Sequence, residues 1–443
     1  MSICIRKINR IFILLILIPF MVACEKKDEK IEQLSSTLPV IYIETSNAIA
    51  SHEIYERATI TVDAMMDMYD FTDSNAGIRL RGHSTSNFEK KPYRIKFEND
   101  QALLGLGKGP SKSWVLLADY MDQSLMRNYI TYKMAKRIMR TSFVSDVTFV
   151  EVVINHVHKG VYLLAEQTHV NPYRVDIDES GVKEPDIVDT GYLLELEVDE
   201  NRRLDSGVFM TDWIDVLGYT NTDIRFTWEN AFTYSTSYEI AYYTIKSDAK
   251  NPLQVEFIQQ SLVSLYDAVY VAKTYDSIKQ VLDINSAVDM YILQLITNDY
   301  DNNFSSNFLY KDQAGKFIFG PPWDFDLTYG NHYLNRSSSS INLHHLLYEL
   351  GNQAWFITLV KDRLNELDTT ELSLFDYLNQ EIETIQNTYE VELLRNYQLW
   401  QDTRRTDGWH IIYNHYDTYD EAVEDLVSWI EERWQFICSY LDV

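Results

Sequence analysis

Between residues 38 and about 199, apolar and polar positions alternate in short period-two runs. The runs predict strands at Val40–Glu44, Ala58–Val62, Tyr93–Phe97, Trp114–Ala118, Thr148–Ile154, Val161–Glu166 and Tyr192–Val198, with Lys159-Gly160 turning a hairpin. One helix interrupts them around Gln123–Arg140. It gathers Leu125, Tyr129, Tyr132, Met134 and Ala135 on a packed side, and its bases fall late, where the helix dipole favours them. After about Pro252 the period becomes helical and predicts helices at Leu253–Ala272, Ala287–Thr297, Trp355–Leu367, Leu372–Leu394 and Ala422–Leu441. Ser286-Ala287-Val288-Asp289 reads as a capping box. A β-like insert, Asn307–Lys311 and Lys316–Phe319, turns at Ala314-Gly315. The pattern is that of one α+β unit with two lobes, β-rich over about 38–250 and mainly helical over about 251–443. Protein kinases have this coarse plan, as do many other enzymes.

Composition narrows the picture. A 46% hydrophobic content supports a true core, and three cysteines exclude a disulfide scaffold. With 39 bases against 66 acids, the formal charge of −27 argues against nucleic acid as a partner, or an anionic membrane surface bound by the protein as a whole.

The first residues read as an address. Arg6, Lys7 and Arg10 precede the apolar stretch Ile11 to Ala23, which suits a signal peptide better than a membrane span. Met21-Val22-Ala23-Cys24 resembles a bacterial lipobox, which implies cleavage after residue 23 and lipid on Cys24. Residues 24–37 then form a charged tether, and the folded part starts near Leu38. The implied location is the outer membrane or cell surface, with the lipid holding the protein to the membrane. Cleavage leaves 36 bases against 66 acids, and Cys438 becomes the remaining free thiol, expected in the core of the last helix.

Candidate chemistry concentrates in three stretches. Residues 79–97 hold six bases and one acid. Arg81-Gly82-His83-Ser84 can form a turn whose N–H groups face an anion, and Lys90, Lys91 and Lys96 follow. A local cationic patch on an acidic protein suits a triphosphate; the alternative is an edge strand with solvated bases. Residues 298–307 leave a buried helix as an Asp/Asn-rich loop. There an Asp can orient an acceptor hydroxyl and an Asn several residues on can help hold a divalent ion. Gly320 to Asn331 contains Trp323-Asp324-Phe325-Asp326. If extended, it puts both carboxylates on one side, suited to a hard cation.

These stretches together resemble the CotH family of atypical, kinase-like proteins. The likeness rests on Arg81-Gly82-His83-Ser84 with Lys90 to Phe97, Trp114 to Asp119 with Met126-Arg127-Asn128, Gly160 to Glu166, Gly191 to Glu195, and most densely Asn298 to Asn331. It implies an ATP-dependent protein kinase fold using Mg²⁺ or Mn²⁺, with an unknown protein substrate. By position, Asp301 is the implied catalytic Asp, Asp324 the metal-binding Asp and Asn307 a second ligand. Asn307 follows Asp301 by six residues, where protein kinases space the pair by about five. The phosphate-binding base comes from Lys90, Lys91 or Lys96, with Lys91 favoured and Glu166 as its acidic partner. Two other readings stand beside this one: a catalytically silent surface binding protein or adhesin of the same fold, and a carboxylate-metal hydrolase built on Asp301, Asp324 and Asp326.

Overall fold

Residues 36–443 pack as a single unit in a computed structural model, which describes residues 36–82, 85–184, 186–197, 213–215, 242–249, 251–303, 305–368, 372–403 and 414–443. Cys24 and Ser84 lie outside the described residues. Seven strands close into a barrel: β1 (Val40–Thr45), β2 (Glu56–Asp63), β3 (Phe71–Leu80), β4 (Tyr93–Gln101), β5 (Ser111–Leu117), β6 (Val147–Ile154) and β7 (Val157–Glu166). The spatial order is β1-β2-β3-β4-β5-β7-β6, and β1 closes the ring by pairing in parallel with β6 at Val40↔Glu151. Alternation fills the interior with Ile43, Ile60, Ile78, Ile95, Trp114 and Leu164, all wholly buried. The outer faces of β5, β6 and β7 send Val115, Phe149 and Leu163 into a second core shared with the helices.

A second sheet takes strands from both sides of residue 250. Its order is β12-β11-β8-β10-β9, from β8 (Tyr192–Glu197), β9 (Trp213–Asp215), β10 (Tyr242–Ile245), β11 (Asn307–Lys311) and β12 (Phe317–Phe319). Leu193, Leu194 and Leu196 are all buried, so β8 needs cover on both faces and obtains it inside the helical region. The helices are α1 (Arg127–Ile138), α2 (Pro252–Tyr266), α3 (Tyr275–Val281), α4 (Ile284–Thr297), α5 (His345–Gly351), α6 (Ala354–Asp368), α7 (Leu374–Trp400) and α8 (Tyr419–Leu441).

Three local features depart from the sequence pattern. The β6–β7 hairpin turns at Asn155-His156, both with positive φ, as a tight two-residue turn requires. Lys159 instead bulges from the ladder, and Gly160 at φ +87° leaves room for Asn396 of α7, whose Oδ1 accepts Val161 N at 3.0 Å. The cap of α4 is Asp283, which accepts from Ser286 N at 2.7 Å. Asp289, placed in the capping box by its spacing, is instead buried and ion-paired to Arg140 and Arg363. A capping box forms instead at α8, from Thr418 and Glu421. Cys438 is half-buried rather than in the core.

Candidate active site

Three backbone segments meet where the barrel joins the helices. The first leaves β5 and runs into α1. Asp119 takes a left-handed conformation (φ 48°), and the buried Asp122 then organises the helix start. Its Oδ2 accepts Arg127 N at 2.8 Å, and its Oδ1 accepts Ser124 N at 3.0 Å and pairs with the Arg127 guanidinium at 2.5 Å. Arg127 Nε donates across to Thr328 O at 3.1 Å, so this start is fixed to the third segment.

The second segment leaves α4. Asn298 ends the helix in the left-handed region and acts as a hub. Its Oδ1 accepts Asn342 N at 2.9 Å, and its carbonyl accepts Asn335 Nδ2 at 2.7 Å. Asn342 Nδ2 donates to Tyr300 O at 2.8 Å, and Asn302 Nδ2 to Asn342 O at 2.8 Å. Buried amides thus satisfy the loop's backbone carbonyls and hold Asp299 and Asp301 in place. Asp299 is buried and its Oδ1 accepts Asp301 N at 3.1 Å, while Asp301 is half-buried.

The third segment is 320–328. Trp323 and Phe325 share one side, both edge-on to Tyr132 of α1 at 6.4 and 5.3 Å between ring centroids. Asp324 is in the left-handed region (φ 65°), so the stretch is a turn rather than an extended strand. Ser306 Oγ donates to Asp324 Oδ2 at 3.3 Å, joining the second and third segments. Asn128 joins the first and third: its Nδ2 donates to Asp119 Oδ1 at 2.7 Å and its Oδ1 accepts Phe325 N at 2.8 Å.

The result is a set of carboxylates in mutual electrostatic reach. Burial, then Asp122, pushes Asp119 up to about 7, with Asp324 adding to the shift and Lys90 and Asn128 opposing it. Burial and Asp324 push Asp301 up to about 7. Asp326 is raised well above the usual carboxylate range by burial and by Asp324, Asp119, Asp301 and Asp299. Asp299 is raised by burial, then by Asp301. Acids from three segments crowded in this way favour whatever supplies positive charge. Among the described residues, no group of three or more His, Cys, Asp or Glu side chains converges to hold a metal ion by itself.

The other expected residues divide. Arg81 stacks over Trp323, its guanidinium 5.0 Å from the ring centroid, and bears with Asp324 on Tyr132. Lys90 is buried: its ammonium donates to Ala118 O at 2.7 Å and to Val161 O, and its charge bears on Asp119. Lys91, the favoured base, donates to Ser86 O at 2.9 Å, and Lys96 is exposed beside Tyr55. Glu166 is not a partner for Lys91. It is buried against Arg174 at 3.4 Å and accepts Asp146 N at 2.8 Å, bracing the base of the barrel. Asn307 is likewise committed elsewhere. Its Oδ1 accepts Gln294 Nε2 at 2.7 Å and its Nδ2 donates to Ser305 O and Asn302 O, so its amide braces the loop. Reasoning from spacing missed Asp119, Asp299 and Asn128 as site residues. The available signal was Asp119 at the end of an apolar strand, with Asn128 nine residues on.

A barrel-and-helix protein with a convergent carboxylate site is the class this geometry defines. Within it, the chain belongs to the CotH kinase protein family, whose sequence model matches residues 78–437, from the end of β3 into α8. No curated protein sequence matches the chain.

Proposed function

We propose that this protein is an atypical protein kinase on a two-lobed kinase-like fold, transferring the ATP γ-phosphoryl group to a protein hydroxyl with a divalent metal. The observation that carries the reading is the convergence of Asp301 and Asp324, from separate segments, within one crowded acidic site. Family membership supports it, since kinase chemistry generally uses ATP and Mg²⁺ or Mn²⁺.

The residues fit a divalent cation, because Asp301 and Asp326 are raised first by burial and then by repulsion from Asp324, and a cation would relieve that repulsion. Asp324 and Asp326 would hold it. When bound, Mg²⁺ or Mn²⁺ would supply positive charge against the triphosphate. Asp301, half-buried, accepts the hydrogen bond of the acceptor hydroxyl and orients it in line. As the hydroxyl oxygen bonds to the γ-phosphorus, its proton passes to solvent or to Asp301, and ADP leaves. Lys90 sets the charge beside Asp119, and Asn128 fixes Asp119 against the Asp324 turn.

Lipid anchoring outside the cytoplasm is part of the same proposal and rests on the Met21 to Cys24 sequence. The test of the kinase reading incubates the purified protein with labelled ATP and Mg²⁺ or Mn²⁺, beside Asp301→Ala and Asp324→Ala. Label transfer lost in both variants supports it. No transfer and no nucleotide-induced thermal shift with either ion overturns it. Metabolic labelling with palmitate, lost in Cys24→Ala, tests the anchor.

A further inference from the structure

The six bases of residues 79–97 separate by face. Ile78, Leu80 and Ile95 point into the barrel, so Arg79, Arg81, Arg94 and Lys96 stand on its outer face. Arg79 sits directly opposite Arg94 in the β3–β4 ladder, and Lys96 is opposite Gly77 one step further along. Arg81 is one step the other way, over Trp323 beside Asp324. With about 3.4 Å of rise per residue, the row covers roughly 14 Å.

Like charges placed directly opposite each other in a ladder are destabilising. None of these four side chains forms an ion pair with a carboxylate among the described residues. Arg79 lies over the Tyr55 ring at 5.1 Å and Lys96 over the same ring at 5.9 Å, while Arg94 reaches only Ser113 Oγ at 3.4 Å. The Nε atoms of Arg79 and Arg94 are buried without a hydrogen-bond acceptor. Burial, with Arg79 and Arg81 adding to it and Tyr55 opposing, draws the Arg94 guanidinium below its ordinary range. In a chain of formal charge −27, two facing arginines without an ion-paired acid among the described residues, each with an orphaned donor, are an arrangement awaiting an anion.

We propose that Arg79 and Arg94, with Arg81, form a rail for a chain of phosphates leading to Asp324. The ligand chemistry is polyphosphate oxyanion, and the guanidinium fork matches its paired oxygens. Its identification with the ATP triphosphate rests on the proposed kinase activity; the anion site itself does not.

The test titrates the full-length protein with inorganic tripolyphosphate, without divalent ions and at low salt, by calorimetry. The wild type binds. Arg79→Ala and Arg94→Ala each weaken binding about tenfold or more, and Asp324→Ala binds at least as tightly as wild type. A second arm compares ATP with AMP: the arginine variants lose affinity for ATP and keep that for AMP if the nucleotide uses the rail. If AMP and ATP fall together, or neither falls, the rail is not the nucleotide's. Arg94→Lys, which keeps the charge and loses the fork, covers the case in which Arg94→Ala does not fold, and it binds more weakly than wild type. The proposal is overturned if wild type binds no tripolyphosphate, or if folded Arg79→Ala and Arg94→Lys bind it as tightly as wild type. Tripolyphosphate binding that needs the arginines, with neither phosphoryl transfer from ATP nor a nucleotide-induced thermal shift, leaves the rail standing and removes the kinase reading.

Discussion

Asn128 donates its amide N–H to Asp119 at 2.7 Å, and its oxygen accepts the Phe325 amide at 2.8 Å. One buried side chain on α1 therefore fixes the end of β5 to the turn that carries Asp324. Asn128→Ala leaves a buried carboxylate and a buried N–H without partners, so it costs about 2–4 kcal/mol of stability. Urea unfolding monitored by tryptophan fluorescence measures this as a lower midpoint. Phosphoryl transfer falls further than the folded fraction does, because the carboxylates lose their alignment. Equal losses in both would mean that Asn128 acts only on stability.

The crowded carboxylates make stability depend jointly on pH and cations. Asp119 and Asp301 have folded-state pKa values raised to about 7, above their unfolded values. Such groups bind protons more readily in the folded state, so their contribution is fully present below about pH 4 and is lost as pH rises through about 7. A divalent cation replaces those protons. Mg²⁺ or Mn²⁺ therefore raises the melting temperature more at pH 8 than at pH 5.5, as scanning calorimetry at fixed ionic strength would read. A cation effect that is flat across this range or larger at pH 5.5 refutes the coupling.

Arg127 and Asp122 form a wholly buried ion pair, and Asp122 also caps the start of α1. Arg127→Met strands the Asp122 charge and costs about 3–5 kcal/mol, by the usual penalty for breaking a buried pair. Asp122→Asn together with Arg127→Met recovers part of that loss, since the second change removes the uncompensated charge. A double-mutant cycle on unfolding free energies gives the coupling; strict additivity would show the two residues act independently.

The barrel strands were legible where apolar residues alternate strictly, as in Ile41-Tyr42-Ile43 and Tyr93-Arg94-Ile95-Lys96-Phe97. β3 was not, because its first half, Phe71-Thr72-Asp73-Ser74-Asn75, is largely exposed and is held by ladder hydrogen bonds rather than by a buried face. Turn chemistry misled at Lys159-Gly160: the glycine answers to a bulge and to Asn396, more than two hundred residues away. Within the site, Asp301 and Asp324 stood out because their segments are dense in polar residues beside apolar runs. Asp119 did not, because what makes it notable is Asn128 and Asp324 beside it, and proximity between distant segments leaves no local pattern. The same holds for Asn307, whose type and spacing suit a metal ligand but whose amide is taken up by Gln294 and two carbonyls.

Asn307 and Asp324 accordingly separate in experiment. Asn307→Ala removes three hydrogen bonds that brace the loop after α4, two of them to backbone carbonyls, and lowers stability by about 1–3 kcal/mol. Its amide oxygen faces Gln294, so the variant keeps the divalent-cation dependence of melting seen in wild type, displaced to lower temperature. Asp324→Ala does the reverse. It removes an acid that adds to burial in raising Asp301 and Asp326, so the cation-free protein is no less stable, and the cation-induced shift is lost. Melting curves over a Mn²⁺ titration distinguish the two, and loss of the cation shift in Asn307→Ala would return Asn307 to the metal's ligands.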